Sequence, residues 1–369
     1  MKNNILLSVF LCFLINNLSF CVEEKYHVGI CGDNVGYRYY YDSHILHVMG
    51  SGSMWNYDGN TLPPWNKWKN GIEEVIVHEG VTSVGANTFS SCYNLKRICC
   101  EEGLLRIEHH AFDFCYGLRF VDIPSTLNYI GNLAFRETKV LDTIQYRGSI
   151  KQWCGINHKD SQIFMYARNV FFQGKRISNL VIPSDVEKVS NHAFSEANFV
   201  DSIVLISTTI IEDSSFVTIY KPAQLIGCLN GVSERGQQWV LENGRLTIIK
   251  DEEVRIDKSW KKYGAFLTSL SIIGSNVSLL FVDNNNSYMN LKECTLPNSV
   301  KSIHPLFFKA CPHLRQITIL CPIPPTVLWP EWMEFTLHEI KVIVPENSVD
   351  KYKEHAFWQK FNICSCGHN

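Results

Sequence analysis

The feature that most constrains the fold of this chain is an internal repeat of 23 residues. Corresponding apolar positions occur at Val81, Leu104 and Leu127, so consecutive units start 23 residues apart. Each unit continues with a branched residue, then a pair of residues that is usually Ala-Phe, then a small residue, and then a short apolar pattern rich in Leu, Ile and Val. We call the pair that carries the Phe ring the plug. A unit this short cannot bury its own apolar face, so neighbouring units must stack into a solenoid.

The same template predicts the structure of each unit. It returns from Val186 and from Val300, and a degenerate copy starts at Thr208. The last apolar residues of a unit alternate with polar ones, which is typical of a short strand with one buried side. The Ala-Phe pair predicts one turn of α- or 3₁₀-helix that places a ring in the core. We therefore predict a leucine-rich-repeat solenoid, β-rich with short helical or 3₁₀ turns and capped at both ends, because the ends of a solenoid expose apolar edges.

The repeat resembles one leucine-rich-repeat family in particular. The string IEHHAFDFCYGLRFVDIPSTLNYIGNLAF, residues 107–135, is similar to the BspA-like pattern Val-x-x-Ile-x-x-x-Ala-Phe-x-x-Cys-x-x-Leu-x-x-Val-x-Ile-Pro. The segment from Cys31 to Trp65 resembles the N-terminal module of that family. The segment from Tyr146 to Pro183 resembles its inserted unit, and Pro324 to Tyr352 its closing unit. The resemblance implies adhesion, or contact with host cells, matrix or other microbes.

The sequence divides into six predicted segments. They are a signal peptide (1–21), an N-terminal capping module (22–71), a repeat array with an insert near 146–179 (72–220), a degenerate second capping-like module (221–266), further repeats (267–320) and a C-terminal closing unit (321–369). The second capping-like module is predicted from a weak sequence similarity, since Trp239 and Leu246-Thr247-Ile248 resemble residues of the N-terminal capping module.

The N-terminal segment has the pattern of a secretory signal. Lys2 is followed by an apolar run over Ile5–Ile15 that is too short to span a membrane, and cleavage is expected after Ser19 or Cys21. A buried N-terminal strand and a lipoprotein signal at Cys21 are the alternatives. No other stretch reaches the length of a membrane span. We expect a secreted or cell-surface protein with no transmembrane segment in the mature chain.

Composition narrows the classes of partner. Lys plus Arg number 34 and Asp plus Glu 36, for a net charge of −2. No basic field is therefore available for a nucleic acid.

The cysteines of the repeat occupy a position that other units fill with small residues. Cys92 and Cys115 share this position with Thr138 and Ala197. A position that accepts Cys, Thr or Ala favours packed free thiols, although rungs about 4.8 Å apart leave a disulfide geometrically open.

Motifs for catalysis, cofactors or metals are absent from the sequence. No nucleophile elbow, zinc-protease motif or phosphate-binding loop occurs. Cys364-Ser365-Cys366 with His368 favours a terminal disulfide or free thiols over a four-ligand zinc site. His44 and His47 flank Leu46 in an apparent strand and are expected to form a solvent-facing pair. We predict no cofactor, no metal and no enzymatic activity. A secreted hydrolase with a Cys or His nucleophile is a minor alternative.

The strands supply the candidate binding residues. Period 2 turns Val121 and Ile123 inward and the residues beside them outward, and stacked rungs align the outward positions into one face. The candidate binding residues on this face are Arg97, Phe120, Asp122, Thr143, Gln145, Ser202, Gln316 and Thr318. We expect the partner to be an extracellular protein or glycoconjugate of host or matrix. A merely soluble face and a glycan site in the aromatic cluster near the N-terminus are the alternatives.

Overall fold

A computed structural model gives the structure of this chain. It describes residues 24–205, 210–212, 215–216, 219, 224–232, 236–256, 263–264, 266–281, 290–328 and 339–365. The predicted signal peptide, the start of the degenerate repeat at Thr208, Cys366 and His368 lie outside the described residues. Within them, no helix combines the length and apolar character needed to cross a membrane.

The described chain forms two compact units, and both are β-solenoids. Unit 1 runs to Ser178 and includes Lys188–Phe199, whereas unit 2 contains Asn179–Glu187 and the described residues from Val200 onward. Among its described residues, unit 1 has one α-helix, Ile150–Gly155, and one 3₁₀ helix, Asn66–Gly71. In the part of unit 2 that the structure describes, the helices are the α-helices Leu306–Ala310 and Val349–Glu354 and the 3₁₀ helices Glu346–Ser348 and Trp358–Lys360.

Two sheets build the turns of unit 1. The larger sheet contains, in spatial order, Tyr26–Ile30, Val35–Tyr40, Ile45–Gly50, Glu74–Val77, Arg97–Cys100, Phe120–Ile123, Thr143–Tyr146, Asn169–Phe172 and Lys175–Arg176. The smaller sheet contains Gly52–Ser53, Val81–Val84, Arg106–Ile107, Tyr129–Ile130 and Asn157–His158. The larger sheet begins and ends with antiparallel pairs, and its central strands are parallel. A further short strand is Lys188–Val189.

Unit 2 repeats the design. Its largest sheet contains, in spatial order, Cys228–Val232, Gln238–Glu242, Arg245–Ile249, Ser269–Ile273, Glu293–Leu296, Gln316–Ile319, Lys341–Val344 and Asn362–Ser365. Two smaller parallel sheets contain Asn179–Val181, Ser202–Val204 and Gln224–Ile226, and Glu253–Ile256, Ser278–Phe281 and Ser302–Ile303. Ile210–Ile211 is a short strand as well. The largest sheet also opens with an antiparallel meander before its parallel strands begin.

The core of unit 1 follows the predicted repeat register. Ile98, Val121 and Ile144 are opposite one another on successive parallel strands and are fully buried. A second row of buried residues comes from the plugs. The rings of Trp65, Phe89, Phe112 and Phe135 stack in sequence, with centroid separations of 5.1, 5.4 and 5.3 Å. Each repeat thus adds one strand and one ring to the same core.

The backbone of the unit 1 plugs is a chain of turns, where the sequence predicted a short helix. Asn87, His110 and Leu133 have φ values of 55°, 54° and 53°, one per repeat. Backbone N–H groups near each ring donate to the next repeat, as from Phe89 to Ala111 and from Phe112 to Ala134, both at 2.9 Å. Each plug also keeps single-turn hydrogen bonds of its own, as from the Cys92 N–H to the Phe89 carbonyl oxygen at 3.1 Å, so bonds between repeats and isolated turns take the place of a continuous helix. In unit 2, the plug with Phe307-Phe308 does lie in an α-helix.

The cysteines of the repeat core are free thiols. Cys92 and Cys115 are buried without a disulfide, and the Cys115 thiol donates to the Phe89 carbonyl oxygen at 3.2 Å. This agrees with the prediction from the shared small-residue position. Cys100 is buried beside Cys99, which lies half-buried on the outward side of the same strand.

Candidate functional site

The outward side of the parallel strands of unit 1 forms a regular grid, which we call the strand face. One row across it, in register, consists of Glu74, Arg97, Phe120, Thr143 and Asn169. The next row consists of Ile76, Cys99, Asp122, Gln145 and Phe171. Five of the eight predicted binding residues therefore lie together, on strands about 4.8 Å apart.

Arg97 lies between Glu74 and Phe120 in the first row and is held by its neighbours. Its guanidinium carbon lies 4.1 Å from the centroid of the Phe120 ring. Its Nε atom is 3.2 Å from Glu74 Oε1 and donates to the Cys99 sulfur at 3.1 Å. Arg97 remains exposed and Phe120 is half-buried. The pair therefore presents a fixed cation and an aromatic surface, and the cation–π contact contributes about 0.5 to 1 kcal/mol at such a site.

Asp122, the acidic residue of the second row, already forms an ion pair with Arg147. Both carboxylate oxygens of Asp122 accept from Arg147, at 3.1 and 2.7 Å. Arg147 lies just past the end of the strand Thr143–Tyr146, so the pair joins neighbouring repeats. The Thr143 hydroxyl donates to Asp142 at 3.0 Å, and Gln145 is half-buried in the same grid. Asp122 thus orients Arg147 instead of offering an unpaired carboxylate.

The other three predicted residues lie on other sheets, in unit 2. Ser202 lies in a three-stranded sheet of unit 2, is 9% exposed and donates to Asn179 Oδ1 at 2.9 Å. Gln316 and Thr318 lie half-buried on the largest sheet of unit 2. The parallel strands of unit 1 end because Gln173 and Gly174, with φ of 49° and 73°, turn the chain back into the strand Lys175–Arg176. Two positive φ values are what a tight hairpin loop requires.

A histidine contact on the strand face was missed by the sequence analysis. His47 Nδ1 lies 2.8 Å from His78 Nε2, their rings are stacked, and His78 Nδ1 lies 3.1 Å from Glu101 Oε1. Of the expected solvent-facing pair, His44 is exposed, with its Nδ1 3.4 Å from the Tyr39 hydroxyl, whereas His47 is half-buried. Burial, followed by the neighbouring His78 and Arg38, lowers the pKa of His47 to about 4, so this ring is neutral at pH 7.

The chemistry of the described residues gives no support to a metal or thiol centre. No group of three or more His, Cys, Asp or Glu among them is arranged to hold a metal ion. Burial raises the pKa of Cys92 to about 12 and that of Cys115 well above its ordinary value. Both thiols are protonated at neutral pH, whereas a nucleophilic cysteine needs a lowered pKa.

The aromatic cluster near the N-terminus is largely packed inside. Tyr37, Tyr39 and Trp65 are buried, and the Trp65 indole N–H donates to the Thr88 carbonyl oxygen at 3.1 Å. A glycan site would need such rings at the surface, where sugars can stack on them. The buried rings therefore disfavour the glycan alternative, although Trp55 in the same segment remains 40% exposed.

A repeated parallel strand, a ring-filled core and a grid of outward side chains define a leucine-rich-repeat protein. Six copies of the BspA type leucine rich repeat region match this chain, over residues 67–166, 165–225 and 281–366. The matched residues are more than half of the chain, and it belongs to the BspA-type leucine-rich-repeat family. None of the curated proteins gives a significant match.

Several solved structures are similar over most of their length. A leucine-rich repeat protein from Eubacterium ventriosum is 17% identical, with a TM-score of 0.37, and the match covers 92% of this chain and 84% of that one. A leucine rich cell surface protein from Faecalibacterium prausnitzii is 15% identical, with a TM-score of 0.35 and 96% coverage of both chains. The pneumococcal vaccine antigen PcpA is 14% identical, with a TM-score of 0.33 and coverage of 92% and 98%. All three TM-scores are below 0.5, so the family assignment rests on the repeat match alone.

Proposed function

We propose that this chain is a secreted or cell-surface binding protein whose strand face in unit 1 docks an extracellular protein or glycoconjugate of host or matrix. Its role would be adhesion or contact between cells, as the family resemblance implies. The observation that carries the proposal is the arrangement of Arg97 over Phe120 beside Glu74, at the centre of a parallel grid.

The composition of this grid suits a binding surface. Arg and aromatic residues dominate the energetic centres of protein interfaces, and Arg97 and Phe120 provide one of each. Docking costs free energy when flexible side chains must be ordered. The contacts of Arg97 with Glu74 and Cys99, and of Asp122 with Arg147, already hold these side chains in the unbound protein. A partner would therefore meet a surface that needs little further ordering.

The proposed location rests on the N-terminal segment. Lys2 and the apolar run over Ile5–Ile15 have the charge and length of a cleavable secretory signal. A protein exported by this route would expose the strand face outside the cell, where adhesion takes place. The proposed activity is contact alone, without a catalytic step.

Site-specific crosslinking tests the proposal. A photoreactive residue placed at Thr143, on the strand face, should capture a partner on intact host cells or matrix. The same residue at Asn132, which is exposed on the turn before a plug, is the matched control. Support requires capture from Thr143, absence of capture from Asn132, and loss of the Thr143 product when Arg97 is replaced by Ala. Capture from Asn132 alone would place binding on the turn side and overturn the proposal.

A further inference from the structure

The strand Tyr26–Ile30 forms one edge of the larger sheet of unit 1. It pairs antiparallel with Val35–Tyr40, and no described strand pairs with its other side. The backbone N–H of Tyr41 donates to the Lys25 carbonyl oxygen, and that of Cys31 donates to the Val35 carbonyl oxygen. In an antiparallel pair, the residues that bond across the pair alternate with residues that point the other way.

This alternation fixes which backbone groups face the open edge. Lys25 and Cys31 bond inward, so the odd-numbered residues of the strand direct their N–H and C=O groups toward Val35–Tyr40. Tyr26, Val28 and Ile30 therefore direct theirs outward, at the edge of the sheet. Each edge position offers both a donor and an acceptor to a further strand.

The side chains at the same positions are apolar and exposed. Tyr26, Val28 and Ile30 are 52%, 38% and 56% exposed, and they share the outward side of the strand. Natural edges are usually blocked by Lys, Pro, bulges or very short strands. The opposite edge of this sheet is of that kind, because it ends in the exposed two-residue strand Lys175–Arg176. Only one edge of the same sheet is therefore protected.

We propose that this edge pairs with the same strand of a second copy of the chain, antiparallel and related by a two-fold axis through Val28. In that register, Tyr26 faces Ile30 of the second copy and Val28 faces Val28, so every outward N–H meets a C=O. The apolar row also becomes continuous across the junction. Such self-complementarity is the property of an interface between identical subunits.

Charge does not oppose this arrangement. The same register places Lys25 opposite Cys31 of the second copy, so no like charges face each other within the junction. Arg38, on the neighbouring strand, lies over Tyr26 with its guanidinium carbon 4.8 Å from the ring centroid. The Cα atoms of the two Arg38 residues would lie three strand spacings apart, about 14 Å, and each guanidinium lies over the Tyr26 ring of its own copy, on opposite sides of the two-fold axis. This separation exceeds the screening length of about 8 Å at physiological ionic strength.

The dimer would join the larger sheet of unit 1 in one copy to the same sheet in the second copy. The outward side chains of both copies would then lie on the same side of the joined sheet. Two strand faces could then engage one multivalent partner, which raises avidity without any new contact. The dimer itself stands apart from the proposed function, because it depends on the edge strand and not on Arg97 or Phe120.

Sedimentation velocity on the full chain, as recovered from the cells that produce it, tests the proposal over a range of concentrations. The wild-type chain should reach a dimer. Val28→Pro removes an outward N–H that the internal pairing does not use, so it should give a monomer with an unchanged circular dichroism spectrum. Val28→Ala keeps that N–H and is the matched control, which should still form dimers.

A second variant keeps the test decisive if the proline chain fails to fold. Val28→Lys places two like charges at the two-fold axis and should weaken dimerisation at least about tenfold at low salt, with partial recovery at high salt. A wild-type chain that stays monomeric at every concentration would overturn the proposal. A dimer that survives both Val28→Lys and a folded Val28→Pro would overturn it as well.

Discussion

The rings of Phe89 and Phe112 stack with centroids 5.4 Å apart and planes within 4° of each other. The two residues are 23 positions apart, so the repeat length sets this contact. The N–H of Phe89 donates to the Ala111 carbonyl oxygen, which fixes one plug against the next through the backbone. Stacking between repeats, and not within them, therefore holds the core of unit 1 together.

Truncation of one ring in this stack should be costly. Phe112 is fully buried between Phe89 and Phe135, and Phe112→Ala would remove both ring contacts and leave a cavity. We expect a loss of roughly 3 to 5 kcal/mol in the free energy of unfolding, measured by denaturant titration. The matched control is Tyr116→Ala, because Tyr116 is an exposed aromatic residue of the same repeat and should cost far less. Equal unfolding midpoints for Phe112→Ala and the wild type would contradict the role of the plug.

The thiols of the repeat core should be free and protected in the folded chain. Cys92 and Cys115 are buried, and burial raises their pKa values, so native protein should not alkylate at either position. After unfolding without a reductant, both should alkylate fully, as read by peptide mass spectrometry. Cys228 is exposed and serves as the positive control for labelling of the native state. Recovery of a peptide pair joined through Cys92 and Cys115 would refute this prediction.

Stability should fall with acid through His158. This residue is buried and its Nε2 lies 3.0 Å from the Trp153 carbonyl oxygen, to which it donates as the neutral ring. Burial lowers its pKa from 6.5 to about 4. The unfolded chain therefore takes up the proton first, and the stabilisation is complete above about pH 6.5 and lost as the pH falls toward 4. At about 1.4 kcal/mol for each pKa unit, the loss is about 3 kcal/mol.

A difference measurement isolates this effect. Two other groups also change the free energy of unfolding in this pH range. Burial lowers the pKa of His47 to about 4, so His47 lowers the free energy of unfolding as the pH falls, as His158 does. Burial raises the pKa of Glu196 to about 7, so Glu196 raises it as the pH falls. The free energy of unfolding should be measured from pH 4 to 7 for the wild type and for His158→Gln, which cannot titrate. The difference between the two should shrink as the pH falls. Parallel curves would show that His158 does not titrate as proposed.

The repeat allowed the sequence to predict which residues face the core. Val121 and Ile144 lie inward, and Phe120 and Thr143 lie outward, because a strict period of 2 and a fixed repeat length leave no freedom of register. Cys100 was placed correctly for the same reason, since it occupies the position of Ile123 in the next repeat.

The parts that escaped prediction are those where the repeat length changes or the backbone departs from the regular classes. His47 meets His78 because strands Ile45–Gly50 and Glu74–Val77 pair with an offset of 29 residues, as between Leu46 and Val75. The 23-residue template could not reveal that contact. The plugs were predicted as helical because a buried ring every repeat fits a helix as well as a turn. Asn87 and His110 belong to residue types that favour positive φ, but Leu133 at the same repeat position does not, so residue type alone did not mark the turn.

Processing of the N-terminus provides a test of the proposed location. If residues 1–21 act as a signal, protein isolated from outside the cell should begin near Cys21 or Val22, as read by N-terminal sequencing. Lys2→Glu should reduce export, because it reverses the positive charge that precedes the apolar run. Intact Met1 on exported protein would contradict the signal.

Replacement of Arg97 or Phe120 by Ala should weaken binding of the captured partner by more than about 1 kcal/mol, which is roughly a fivefold rise in the dissociation constant. Both side chains lie outward, and their contact with each other contributes only about 0.5 to 1 kcal/mol, so the unfolding midpoint should change little. Arg97→Lys is the discriminating variant, because it keeps the charge but loses the planar group over the Phe120 ring. We expect it to bind nearly as weakly as Arg97→Ala if the planar pair is the anchor, and nearly as well as the wild type if only the charge contributes to binding.

The controls for this prediction are His109→Ala and Asn132→Ala, at exposed positions on the turns before the plugs. Loss of binding from these two with no loss from Arg97 and Phe120 would move the site to the turn side of the solenoid.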